Sequence, residues 1–453
     1  MSNLNILGLS IGESFAEICV VNAAKNNEVL LQRRTYMPKE NLKNFLTQFA
    51  TENSQLKIDR AFVGFPFLEK ILNYRLGGSV AQIVTDGFEN WMQLRGPSIH
   101  QAPLASPELV FSVSARLQAD GTELKPLLLD ELVAIEAKLK LMECKRVCIH
   151  FVHGQRFHQH VEQAASFFRE HGYEIFVPSP DEKADEIVRW RRNVLNASLS
   201  GTMAEIRKEI EEGLQSSVSS ENIFHFSACG KIFQNENHLR LGAMIAPASS
   251  LAKLFPQEET VLYLDIEKFL ILKPQQFVET WQSPWGLVES PHHQAQLTLQ
   301  QPTSPIEVNV FGELDFGSKD IGFEPGPMCL GRGVKPTMID LWSQDLNVPG
   351  LSERIQSNYL SKVKSHLLTL GRSCRQRPDD LDKTITELQK LSLAKLCQDA
   401  LWNSSEKGIL VAGPLAPFFG PQLNKLSKDF RFEKVATTKA YSFARVADLK
   451  ERH

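Results

Sequence analysis

The chain has 453 residues, 42% of them hydrophobic and 23% charged, which gives ample material for packed cores and excludes wholesale disorder. Fifty Lys and Arg against 53 Asp and Glu leave a net charge of -3, so bulk electrostatics offer no drive toward nucleic acid or an anionic membrane. Seven scattered Cys, an odd number, and an N-terminus without a basic leader point to a reduced, cytoplasmic protein. The longest mildly apolar stretch, 241–252, is interrupted by Pro247 and falls well short of the roughly twenty residues a membrane helix needs.

Residues 4–11 and 15–22 are apolar runs joined at Gly12. An Asn26-Asn27 turn leads to a third run near Val29, predicting an N-terminal meander. Leu42, Phe45, Leu46 and Phe49 recur at helical spacing. Short strands are expected over 60–65 and 81–85, and a helix through Leu132, Ile135, Leu139 and Met142. A strand follows over 146–152, then a helix through Val161, Ala164, Phe167 and Phe168, and a strand over 173–177. This alternation predicts an α/β fold with helices packed on a sheet. The run Arg189-Trp190-Arg191-Arg192 reads as one exposed helix face. A Glu- and Lys-rich helix ends in the polar breaker 215–220. Beyond it, 261–265 reads as a buried strand, 291–305 as an exposed polar loop, 353–403 as mostly helix, and 408–412 as an apolar run entering a Gly-Pro turn. The runs at 4–11 and 261–265 could open two related halves.

Four segments, in order along most of the chain, carry a resemblance. Residues 324–340 read E-P-G-P-M-C-L-G-R-G-V-K-P-T-M-I-D, residues 119–127 read A-D-G-T-E-L-K-P-L, residues 194–199 read V-L-N-A-S-L, and residues 84–88 read V-T-D-G-F. They resemble the D-P-G-P-A-C-Y-G-R-G-G…P-T-x-T-D, D-A-D-G-x-x-x-x-P-L, T-V-L-N-A-Y-L and T-T-x-G-F-x-D segments of the hydantoinase A/5-oxoprolinase family. Residues 411–415, V-A-G-P-L, resemble what remains of F-G-G-A-G-P-L. The resemblance implies an actin-like, ribonuclease-H-like ATPase fold of two halves with mixed sheets. It divides the chain into an N-terminal hydantoinase/oxoprolinase-like domain, 1–200, and a hydantoinase A-like domain, 201–453, without the C-terminal accessory region. It implies ATP and magnesium as cofactors, a small cyclic amide as substrate, and a second, hydantoinase-B-like subunit as partner. In that chemistry ATP phosphorylates the amide oxygen of a cyclic lactam, nitrogen becomes a better leaving group, and water opens the ring.

Aligned with the family's phosphate loops, Gly12 and Ser14 would cradle phosphate, and Asp265 and Lys268 would serve the second loop, with Asp265 holding magnesium. Gly413 would border adenosine, and Asp340 and Arg332 would act in the cleft as acid and anion clamp. Asp340 and Arg332 equally suit a helix cap and a loop brace. The loops themselves are eroded. The family's first loop, D-x-G-G-T-x-T-D, is here S-I-G-E-S-F-A-E over 10–17, and the second, D-M-G-G-T-S-T-D, is D-I-E-K-F-L over 265–270. A glycine lets backbone N–H groups approach phosphate oxygens. A carboxylate at ~4 Å from a phosphate charge costs about 4 kcal/mol at an effective dielectric near 20. That exceeds the roughly 1.5–3 kcal/mol of one charge-assisted hydrogen bond. Glu13 and Glu267 therefore predict weak or absent catalysis. The alternatives are an active ATP-dependent hydrolase or a non-catalytic scaffold or binding subunit of a larger amidohydrolase or ketone-carboxylase-like complex. Cys148, His150, His153, His158 and His160 form the densest set of soft ligands, but a pair two apart on a helix is poor metal geometry.

Overall fold

The computed structural model describes residues 4–12, 14–37, 41–67, 71, 77–93, 106–178, 186–226, 232–234, 260–267, 269–283, 286–298, 305–316, 327–331, 333–343, 357–374, 381–404, 408–432 and 438–451. The first part contains β1 (Asn5–Ile11), β2 (Phe15–Asn22), β3 (Glu28–Tyr36), α1 (Leu42–Glu52), β4 (Arg60–Gly64), β5 (Ala81–Thr85), β6 (Val110–Val113), β7 (Arg116–Leu117), β8 (Glu123–Lys125), α2 (Leu129–Leu141), β9 (Arg146–His150), α3 (Gln159–Glu170), β10 (Glu174–Phe176) and the long α4 (Glu186–Leu214). It continues with β11 (Ile223–Phe226) and β12 (Ile232–Gln234). The second part contains β13 (Thr260–Leu264), β14 (Phe269–Ser283), β15 (Gly286–Thr298), β16 (Ile306–Val308), β17 (Leu314–Phe316), α5 (Met338–Trp342), α6 (Ser357–Ser373), α7 (Leu381–Asn403), β18 (Ile409–Ala412), α8 (Ala416–Leu426), β19 (Phe430–Phe432) and α9 (Lys439–Glu451).

Two sheets share one topology. The first runs β12-β11-β4-β1-β2-β3 and the second β15-β14-β13-β18-β19. In each, an antiparallel meander (β1–β2–β3, β13–β14–β15) is extended from its first strand by two parallel strands, β4 and β11 in one, β18 and β19 in the other. The two runs that open the halves in sequence are thus equivalent strands. A third sheet, β10-β9-β5-β6, is wholly parallel and flanked by α2 and α3.

Burial follows these layers. Leu7, Leu9, Ile18 and Val63 on the first sheet pack against Phe45 and Phe49 of α1 and Leu199, Met203 and Ile210 of α4. Position 200 lies inside α4, so residues beyond it still build the first half's core, and β11 joins that half's sheet. Helix α9 also returns there, with Ala440, Phe443 and Ala444 packed on Ile6, Cys19 and Phe62. Gly8 permits the approach, because a Cβ there would collide with the Ala440 backbone carbonyl.

Two expectations need correcting. The stretch 291–305, read as an exposed loop, is β15 as far as Thr298, with Leu270, Ile271 and Leu272 of β14 opposite Thr298, Leu297 and Gln296. Its polar residues alternate with Ala295 and Leu297, a period-2 pattern that composition alone conceals. The run at 189–192 is not a wholly exposed face: Trp190 is buried and stacks on His150, ring centroids 5.1 Å apart. Stretch 241–252 lies outside the described residues. Among the described residues no helix is long and apolar enough to cross a membrane.

Candidate functional site

The turn leaving β1 and the turn leaving β13 are equivalent points of the two sheets, and they meet. Aligning them places Ser10 against Asp265 and Gly12 against Glu267. Where one turn keeps a glycine, the other carries a glutamate, and that glutamate fills the glycine's space. A Cβ on Gly12 would overlap both carboxylate oxygens of Glu267. Glu267 Oε1 accepts hydrogen bonds from the backbone N–H of Ser14 at 2.7 Å and of Phe15 at 3.3 Å. Two consecutive N–H groups turned toward one anion are the donor set a phosphate oxygen would require, and here a side chain has taken them.

Charge balance is supplied by Lys439, the first residue of α9. Its Nζ lies 2.7 Å from Asp265 Oδ2 and 3.4 Å from Glu267 Oε2, with all three side chains buried. The Glu17–Arg34 ion pair, on facing positions of β2 and β3, completes a cluster of three carboxylates and two cations. Arg34 also lies over the Phe15 ring at 5.6 Å. Burial alone pushes the Asp265 carboxyl up, but Lys439 and Arg34 outweigh it and hold the group below its ordinary value. Burial raises the Glu17 carboxyl in spite of Arg34. Burial opposes the Lys439 ammonium, yet Asp265 and Glu267 hold its proton more tightly than usual.

A magnesium–nucleotide does not fit these residues as arranged. Asp265, the candidate metal ligand, spends Oδ1 on the Ile266 N–H at 2.7 Å and Oδ2 on Lys439. The N–H donors beside Gly12 and Ser14 are spent on Glu267. Among the described residues, a phosphate would enter a cluster whose carboxylates outnumber its cations.

The other sequence candidates lie apart from this cluster or in structural roles. Gly413, with φ of 104°, sits where the chain leaving β18 crosses the end of β13, and its Cβ would lie 2.5 Å from the Leu264 carbonyl oxygen. Asp340 is buried and its carboxylate is saturated. Oδ2 accepts from Met328 N–H at 3.0 Å, Thr337 N–H at 2.7 Å and the Thr337 hydroxyl at 2.9 Å, while Oδ1 accepts from Cys329 N–H at 2.7 Å. It closes a capping box at the start of α5 and ties the 327–331 segment to it. Cys329 is buried beside it, and burial with the nearby carboxylate pushes the thiol far up, away from nucleophilic use. Arg332, Lys268 and Glu13 lie outside the described residues.

The soft-ligand set does not converge. His150 is held on Trp190 and Asn193, while His160 contacts Glu123 at 2.8 Å. No group of three His, Cys, Asp or Glu side chains suited to a metal occurs among the described residues. Sequence reasoning missed Lys439 and Arg34. Lys439 stands 172 residues from Glu267, and nothing in its local sequence marks it. Arg34 was legible only through the β2–β3 register.

Two mirrored α/β sheets meeting at paired turns define the actin-like ATPase class of fold, and solved structures share it. ATP-dependent caprolactamase from Pseudomonas jessenii superposes with a TM-score of 0.68 at 19% identity, over 97% of this chain and 70% of that one. Nucleotide-free acetone carboxylase superposes with a TM-score of 0.74 at 12% identity, over 98% and 70%. In sequence, the caprolactamase alpha subunit of Pseudomonas jessenii is 25% identical over 300 residues, 59% of this chain and 42% of the relative's length. No family model matches the chain. The sequence homology to that alpha subunit and the fold shared with both enzymes are a likeness of the hydantoinase A/5-oxoprolinase type.

Proposed function

We propose that the chain is a hydantoinase/oxoprolinase-type subunit that has lost efficient ATP turnover and serves a larger amidohydrolase or carboxylase-like assembly as a scaffold or binding component. One observation carries this reading: the Glu267 carboxylate occupies the Ser14 and Phe15 N–H groups. Naming of the homologue as an alpha subunit supports the multi-subunit part, with a hydantoinase-B-like chain as the expected partner.

A second reading, ATP-dependent opening of a cyclic amide, is favoured by the homology to that caprolactamase subunit and by the presence of Gly12, Ser14 and Asp265 at the paired turns. Under it, Glu267 and Lys439 would have to leave the turn before nucleotide and magnesium could enter.

Calorimetric titration with ATP and magnesium separates the two. The unaltered protein and Glu13→Gly are expected to give no binding, because Glu267 still fills the donors in both. Binding is expected to appear only in Glu13→Gly/Glu267→Gly. Micromolar binding by the unaltered protein, with ATP consumed when lactams or hydantoins are added, would overturn the first reading in favour of the second.

A further inference from the structure

Resting on the reading of an eroded phosphate site, we infer that Glu267 is an intramolecular ligand: its carboxylate takes the place of a phosphate group, Lys439 takes the place of the metal cation, and together they clasp the two turns without nucleotide. Three elements remote in sequence converge on one carboxylate. The β1–β2 turn donates through Ser14 and Phe15, the β13–β14 turn contributes Glu267 and Asp265, and α9 contributes Lys439. Gly12 leaves the room the carboxylate needs. Helix α9 is fixed on the first sheet by Ala440 and Phe443, so Lys439 ties that sheet to the second half's turn. The contact is autoinhibitory in form. The same donors, once vacated, present two N–H groups and an ammonium to a small oxyanion, with no metal required.

The clasp predicts what removal of the carboxylate does. Glu267→Ala should gain saturable binding of inorganic pyrophosphate in the absence of magnesium, where the unaltered protein shows none. Adding Lys439→Met to that variant should abolish the gain. Glu267→Gln, which keeps the shape and loses the charge, should speed amide hydrogen exchange in the 12–16 segment by about tenfold, the loss of one charge-assisted contact. The Gln variant keeps the test decisive should Glu267→Ala fail to fold. The inference is overturned if exchange at 12–16 is unchanged in Glu267→Gln, or if a folded Glu267→Ala binds no pyrophosphate. ATP turnover by the unaltered chain would sink the reading of lost catalysis and leave the clasp to be judged on exchange alone.

Discussion

Replacing Asp340 separates a structural carboxylate from a catalytic one. In Asp340→Ala, the Met328, Cys329 and Thr337 N–H groups lose their acceptor in a region almost sealed from solvent, and the Thr337 cap loses its partner. Each stranded donor costs roughly 1–3 kcal/mol and the cap about 1 kcal/mol. Burial raises the Asp340 carboxyl despite these bonds, so removing the charge recovers part of its desolvation cost. With that offset and non-additivity between neighbours, a net loss of roughly 3–5 kcal/mol is expected. Asp340→Asn behaves differently. Its single oxygen can stand where Oδ2 stands and keep three bonds, but its NH2 group then faces the Cys329 N–H, which lies 2.7 Å from the present oxygen. That is one lost acceptor and one donor–donor contact, about 1–3 kcal/mol. Urea unfolding followed through Trp342, which packs edge-on against Phe418 and Phe419, reads this region. The order Ala, then Asn, then unaltered protein is the expected result. An Asp340→Ala protein within about 1 kcal/mol of the unaltered chain would refute the structural role.

Three further outcomes follow from the same contacts. Gly12→Ala should destabilise the protein, because its methyl would overlap the Glu267 carboxylate, and Glu267→Ala should rescue it; a double-mutant cycle that is additive would contradict the contact. Burial pushes His150 and His225 down to about 3, so both stay neutral in the fold while their unfolded counterparts protonate below pH 6.5. The unfolded state then binds more protons, and stability should fall with acidification from pH 6.5 toward 3 by about 1.4 kcal/mol per pH unit per histidine. Unfolding measured across that range in His150→Phe, which keeps the stack on Trp190, should show a shallower slope, and an unchanged slope would refute the assignment. Asp265 gives a second acid limb. Its folded value lies below its unfolded one, so its contribution is present above the ordinary carboxylate value and lost as pH falls through the folded one; Asp265→Asn should flatten the most acidic part of the curve.

Local signals made much of the fold legible. The β1–β2–β3 meander was readable from its apolar runs and from Asn26-Asn27, both with positive φ, which close the Ala23–Lys25 turn and lead the chain into β3. The 119–127 segment supplies the turn and second strand of the β7–β8 hairpin, with Gly121 at φ of 91° and Asp120 accepting from the Thr122 N–H at 2.9 Å. The site was half legible. Glu267 could be recognised as a charge foreign to a phosphate loop, because that judgement needs only the loop itself. Its destination could not, because Ser14 and Lys439 reach it through the meeting of two sheets and the return of the chain's last described helix, and pairings over such separations leave no periodic trace. Strand β15 was lost for the opposite reason: its signal was local, but its polar content outweighed its alternation.

The same geometry changes what a retained motif residue means. Gly12, taken alone, argues for phosphate binding, since a bare backbone is what lets N–H groups reach an oxyanion. In this chain the oxyanion is Glu267, and Gly12 is required just as strictly by it. Asp265 argues for a metal by the same logic, and Lys439 provides a cation that accounts for it without one. Gly12 and Asp265 each therefore have an internal partner that accounts for them without nucleotide. The departures supply the discriminating weight: a glutamate at the glycine position and a buried lysine 3.4 Å from it are complementary, and without the lysine that glutamate and Asp265 would stand together as buried carboxylates. Removing Lys439 while Glu267 stays should consequently cost stability, because Glu267 and Asp265 would share the buried site without their cation.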